Sequence, residues 1–208
     1  FRAEHGISDA PLALVLPGSR RGEVGRLAPI FGQVLEPVLK VIPDLRVVIP
    51  AASPVEYLVR EAVKDWPCNP LVICSEDKTQ KCAAFKAADV ALAASGTVSL
   101  ELAAAGTPMV IAYDMNWLSR QIIGRMLKVD TVTLVNLVSD TRAVPEFIGA
   151  DCVPERIAEA LLQVMNDGGN QKEGMRVTMQ RVGHGGDAPG LRAAQAVLDG
   201  LSDHQTLN

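Results

Sequence analysis

The 208-residue chain has no run of lysines or arginines, and its formal charge is −4. A protein that grips nucleic acid needs a basic face to replace the counterions of the phosphates, so nucleic acid is not an expected partner. No apolar stretch reaches the roughly 20 residues that span a bilayer, because glycine, proline or a charge interrupts each one. A signal-peptide pattern is missing too, so the expectation is a soluble protein, peripheral on a membrane at most. Four cysteines (Cys68, Cys74, Cys82 and Cys152) show no CxxC spacing, and His5, His184 and His204 follow no metal-site pattern. Free thiols, a reducing compartment and no metal are expected. Neither GxxxxGK[ST] nor GxGxxG occurs, which counts against a P-loop NTPase and an ordinary NAD-binding domain. No Ser/His/Asp constellation can be placed, and there is no internal repeat.

What is present is a core-forming composition, 48% hydrophobic against 21% charged, arranged as short apolar runs that alternate with helical patterns. Residues 12–16, LALVL, form a continuous apolar run of the kind found in parallel strands covered on both faces. Further strands are expected at 45–49, 71–74, 89–94, 108–113 and 132–135, six in all. Helices are expected at 23–42, 54–64, 78–87, 98–105, 118–127, 154–165 and 191–201, with a turn of helix near 145–148. Strands alternating with helices predict an α/β fold: a doubly wound, mainly parallel, Rossmann-like sheet with helices on both faces. Pro29 and Pro37 fall inside the first long helix and should kink or divide it.

Two strand-to-helix turns carry the chemistry. The first, Pro17-Gly18-Ser19-Arg20, lets the backbone turn at Gly18, offers Ser19 as a cap and presents Arg20, which suits either a forked contact to phosphate or plain solvation. The second, Ser95-Gly96-Thr97, opens directly into a helix whose first N–H groups and positive dipole end favour an anion. Glu101 follows Thr97 by four residues, on the same helix face and one residue beyond the place a capping box would use. It suits a ligand for ribose hydroxyls or a solvated glutamate that favours the helix start. Both turns follow carboxyl ends of strands, so they can face one crevice at the point where the strand order reverses.

Other marked stretches are less specific. The turn clusters at 166–170 and 183–187 read as loops between helices, and His184 in the second is either an exposed loop histidine or a catalytic one. Trp117, Leu118, Ile122, Ile123, Met126 and Leu127, interleaved with Arg120, Arg125 and Lys128, suit a membrane interface or an ordinary core-facing helix.

In order along the chain come Leu16-Pro17-Gly18-Ser19-Arg20 with Glu23-Val24, Ala94-Ser95-Gly96-Thr97 with Leu100-Glu101, Pro108-Met109-Val110 with Tyr113, Val135-Asn136-Leu137, and Val144-Pro145-Glu146-Phe147. This series resembles the lipid-A-disaccharide synthase family of inverting GT-B glycosyltransferases, over roughly residues 1–201 and only in its C-terminal half. The resemblance implies transfer of 2,3-diacylglucosamine from UDP to 2,3-diacylglucosamine 1-phosphate, giving the β-1,6-linked disaccharide and UDP. It implies no cofactor, a peripheral location on the cytoplasmic face of a Gram-negative inner membrane, and leaves a homodimer open.

By the same resemblance Gly18, Ser19, Arg20, Ser95, Gly96 and Thr97 hold the diphosphate, Glu101 binds the ribose and Asn136 lines the donor side of the cleft. Backbone near Cys74 and Ser75 is expected to read the uracil edge. Gly149 stands where the family usually has glutamine. The family's proposed general base, an aspartate, lies in its N-terminal domain. Phe1 and a strand beginning by Leu12 suggest part of a longer protein, with 1–10 a linker or crossing segment, 11–182 the UDP-sugar-binding domain and 183–208 a terminal loop and helix that packs on the other domain. Two other readings stay open: a nucleotide-binding module without catalysis, and another GT-B enzyme such as a UDP-N-acetylglucosamine 2-epimerase or a peptidoglycan-precursor glycosyltransferase.

Overall fold

The computed structural model describes residues 1–114 and 131–205. Six strands form one parallel sheet: β1 (Leu12–Leu16), β2 (Arg46–Ala51), β3 (Leu71–Cys74), β4 (Val90–Ala94), β5 (Met109–Tyr113) and β6 (Glu146–Ile148). Their order is β3-β2-β1-β4-β5-β6, so the chain winds outward from β1 in one direction, returns, and winds outward again from β4. The reversal lies between β1 and β4, with Leu16 in register with Ala93.

Alternation along the strands explains why both faces are covered. Ala13 and Val15 of β1, Val90, Leu92 and Ala94 of β4, and Val110 and Ala112 of β5 join one core, whereas Leu12, Leu14, Leu16, Ala91, Ala93, Met109 and Ile111 join the other. Helices α1 (Arg21–Val41), α2 (Glu56–Ala62) and α6 (Pro154–Asn166) cover the first. The second is closed by α3 (Lys78–Ala87), α4 (Val98–Ala105), α5 (Leu134–Ser139) and α7 (Gly169–Arg181). A last helix, α8, spans Pro189–Gln205. The doubly wound Rossmann-like architecture expected from the alternating pattern is therefore present, and strands 12–16 and 71–74 and helices 78–87 and 98–105 have the expected bounds. Residues 1–10 are tied to the base of the sheet: Arg2 pairs with Asp89 at 2.8 Å and donates to the Ala87 and Ala10 carbonyls, and Ile7 is buried.

Three local expectations need correction. Residues 132–135, expected as the sixth strand, lead into α5, and residues 145–148, expected as a helical turn, contain β6. Long-range contacts decide both. One Glu146 oxygen accepts from the amides of Val132 (3.1 Å) and Thr133 (3.0 Å) and from the Thr133 hydroxyl (2.7 Å), which caps the start of α5 despite its β-branched sequence. Pro145 donates nothing but its carbonyl receives the Ile111 amide, a role that proline can fill at the first position of a strand. Nor do Pro29 and Pro37 divide α1, which runs unbroken for 21 residues. Their missing N–H groups would have met the carbonyls of Gly25 and Gln33, both exposed, where water can serve instead. The stretch from Trp117 to Lys128 lies outside the described residues.

Candidate functional site

Where the strand order reverses, β1 and β4 end side by side and their two following turns line a single crevice of about 370 Å³. Leu16, Gly18, Ser19 and Arg20 come from one turn, and Ala94, Ser95, Gly96 and Thr97 from the other. Glu23 of α1, Lys81 of α3, and Val98 and Glu101 of α4 complete its walls, while Pro50, Ala52 and Ser75 bring in the ends of β2 and β3. Seven of the eight residues assigned above to donor binding are thus gathered in one place. Asn136 is not: it is wholly buried, with Nδ2 donating to the Val144 carbonyl (2.9 Å) and Oδ1 accepting the Val144 amide (3.0 Å). Its amide group acts as a strand partner for the segment before β6.

Backbone geometry explains both turns. Gly18 has φ +112°, and a Cβ there would stand 2.5 Å from Glu23 Cβ and 2.6 Å from Glu23 Oε2. Only glycine fits that approach. Gly96 has φ +150°, which aims the chain from β4 into α4. α4 begins at the crevice wall with Thr97 and Val98, so its positive dipole end favours an anion there, while the amides of Ser99 and Leu100 are already bonded to the Gly96 (3.3 Å) and Thr97 (3.0 Å) carbonyls.

The expected cap at Ser19 is replaced. The N-cap of α1 is Arg20, and the capping carboxylate is Glu23, whose Oε2 accepts from the amides of Ser19 (3.0 Å) and Arg20 (3.2 Å). Its Oε1 accepts from the Arg20 guanidinium at 3.0 Å. The turn therefore already holds a carboxylate of its own, which shows that its donors converge on an anion.

Across the crevice Glu101 pairs with Lys81 at 2.5 Å. Lys81 had no place in the reading of the sequence, although the helix positions carry a signal: Asp77 caps α3 and Thr97 starts α4, so Lys81 and Glu101 each lie four residues past a helix start. Ser75 lines the floor, with its amide bound to the Ala51 carbonyl. Next in sequence to Ser75, Glu76 accepts from the Cys74 thiol (2.9 Å), the Ser53 hydroxyl (2.6 Å) and the Ser53 amide (2.9 Å). These hydrogen bonds, the Cys74 contact first, hold its carboxyl well below the ordinary range, at about 2. His184 is exposed and is not among the residues of the crevice.

A parallel sheet wound twice, with two strand-to-helix turns facing one crevice at its reversal, defines a Rossmann-like domain whose ligand site lies at the topological switch point. The same architecture recurs in solved structures. The spinosyn rhamnosyltransferase SpnG matches 90% of this chain and 46% of its own (TM-score 0.59, 14% identity). The UDP-GlcNAc 2-epimerase from Neisseria meningitidis matches 86% and 47% (TM-score 0.55, 14% identity). At such identities the fold alone is shared. Sequence is more decisive: residues 3–196 match the family model described as lipid-A-disaccharide synthetase, and the chain belongs to that family. The lipid-A-disaccharide synthase of Ruegeria pomeroyi is 56% identical over 97% of the chain, and that of Rhodospirillum centenum 42% identical over 96%. The chain spans about half the length of these relatives, 52% and 50%. Membership of this family sets the epimerase reading aside.

Proposed function

We propose that this chain is the donor-binding half of a lipid-A-disaccharide synthase and that its crevice takes the UDP of UDP-2,3-diacylglucosamine. The observation that carries this reading is the convergence of the two turns and Glu101 in one crevice. The diphosphate lies across the Gly18-Ser19-Arg20 and Ser95-Gly96-Thr97 turns, taking over the donors of Ser19 and Arg20 that bond Glu23. Glu101, one helical turn further on, receives the ribose hydroxyls.

Chemistry follows from that placement. As the sugar C1–O bond breaks, negative charge grows on the departing diphosphate. The N-terminus of α4 and the Arg20 guanidinium face that charge, so they stabilise the transition state more than the bound donor. An acceptor hydroxyl on 2,3-diacylglucosamine 1-phosphate must lose its proton as it attacks from the opposite side. That step falls to a base in the other half of the enzyme, in line with what the family resemblance implies. Both substrates carry acyl chains, so the assembled enzyme works at a membrane surface, which the family resemblance places at the cytoplasmic face of the inner membrane. No helix of the described residues is long and apolar enough to cross a bilayer.

Titration of the purified chain with UDP tests the proposal. Saturable binding of UDP, weakened by Arg20→Ala, is the expected result; a folded chain indifferent to UDP would remove its basis.

A further inference from the structure

Lys81 stands out among the ion-paired cations of the described residues. Its side chain is 22% exposed, less than that of any other such cation; the next, Arg2, is at 27% and Arg20 is at 82%. Most of the other pairs are local, joining residues three or four apart in sequence, whereas Lys81 on α3 reaches Glu101 on α4. Its ammonium also lies 5.4 Å from the ring centroid of Phe85, a buried residue one turn along α3. The cation is therefore held on one side by a ring face and on the other by a carboxylate. Glu101, 49% exposed, has Lys81 as its partner among the described residues.

We infer that Lys81 is a positioning residue for the nucleotide ribose: it holds the Glu101 carboxylate by Oε2 and leaves Oε1 to accept the two vicinal hydroxyls. This deepens the proposed donor site and rests on the assignment of Glu101 to the ribose. A glutamate that is half exposed samples several rotamers, and fixing it costs entropy at the moment of binding. An ion pair across two helices removes that cost beforehand, which is the general route by which preorganisation gains affinity. Lysine suits the task because an ammonium only donates: it takes Oε2 and cannot itself accept a ribose hydroxyl, so both hydroxyl hydrogens are left to Oε1. Its contact with the Phe85 face fixes it in this place independently of the nucleotide.

The test compares UDP with 2′,3′-dideoxy-UDP by calorimetry on the whole chain and its variants, each checked for folding by circular dichroism. In the parent, loss of hydrogen bonds to a charged acceptor should favour UDP by about tenfold or more. Lys81→Met keeps the alkyl stem and should cut that preference to about threefold or less while leaving the affinity for the dideoxy nucleotide unchanged. Lys81→Arg should restore the preference, and in a Glu101→Gln background Lys81→Met should change nothing further. Lys81→Gln serves if the methionine variant does not fold. A preference that survives in Lys81→Met overturns the inference and leaves the donor site standing. Equal weakening of both nucleotides overturns it in favour of a direct phosphate contact. Absence of any ribose preference in the parent overturns the assignment of Glu101 and this inference with it.

Discussion

At Gly18 one hydrogen atom in place of a side chain decides whether the first turn can form. A methyl group there would collide with Glu23 and would have to adopt φ +112°. Gly18→Ala should therefore destabilise the chain by about 1–3 kcal/mol, the usual cost of forcing a side chain into a sparsely populated conformation. It should weaken UDP binding in parallel, because the same collision displaces the donors of Ser19 and Arg20. Urea unfolding and UDP calorimetry on one preparation read both effects. Asn136 makes the opposite case. Its side chain satisfies both the amide and the carbonyl of buried Val144, so Asn136→Ala should cost about 1–3 kcal/mol for each group left unpaired. The protein that remains folded should bind UDP with little change, which separates a scaffolding role from a donor contact. A loss of affinity with unchanged stability would return Asn136 to the donor site.

Among the elements, those set by local signals were legible. β1, β3, α3 and α4 have the bounds read from apolar runs, glycine stops and helix-capping residues. The reversed identities of residues 132–135 and 145–148 were not legible, because Glu146 and Asn136 act on segments 8 to 14 residues away. A carboxylate that caps a helix from a distant strand leaves no periodic trace in the sequence. For the same reason the crevice was read only in part: the glycine turns and Glu101 announce themselves, but the Lys81–Glu101 pair exists only because α3 and α4 lie side by side. Glu76 ties the turn after β2 to the end of β3 through Ser53 and Cys74. Its carboxyl titrates at about 2 in the folded chain against an ordinary 4.5. A depressed value contributes stability that is complete above the unfolded value and is lost as pH falls from 4.5 toward about 2. The difference in thermal midpoint between the parent and Glu76→Gln should therefore be constant near neutrality and close across that acidic window. A difference independent of pH would mean that the carboxylate's charge plays no part.

For the molecule as a whole, the six-stranded sheet forms a domain with its own two cores, whereas the chain spans about half of its curated relatives. Binding and turnover should therefore come apart. The chain by itself should bind UDP and release none from UDP-2,3-diacylglucosamine when supplied with 2,3-diacylglucosamine 1-phosphate. Joined to the remaining half of a close relative, it should release UDP, and failure of that joined enzyme would favour a binding module without catalysis. The decisive measurement is a calorimetric titration of the chain with UDP, with CMP as the comparison and Glu101→Ala as the control. UDP binding in preference to CMP, weakened by about 1–3 kcal/mol in the variant as expected for a lost hydrogen bond to a charged group, is the predicted result. Equal affinity for UDP and CMP, or UDP binding untouched by Glu101→Ala, would contradict the assignment of this crevice to the donor nucleotide.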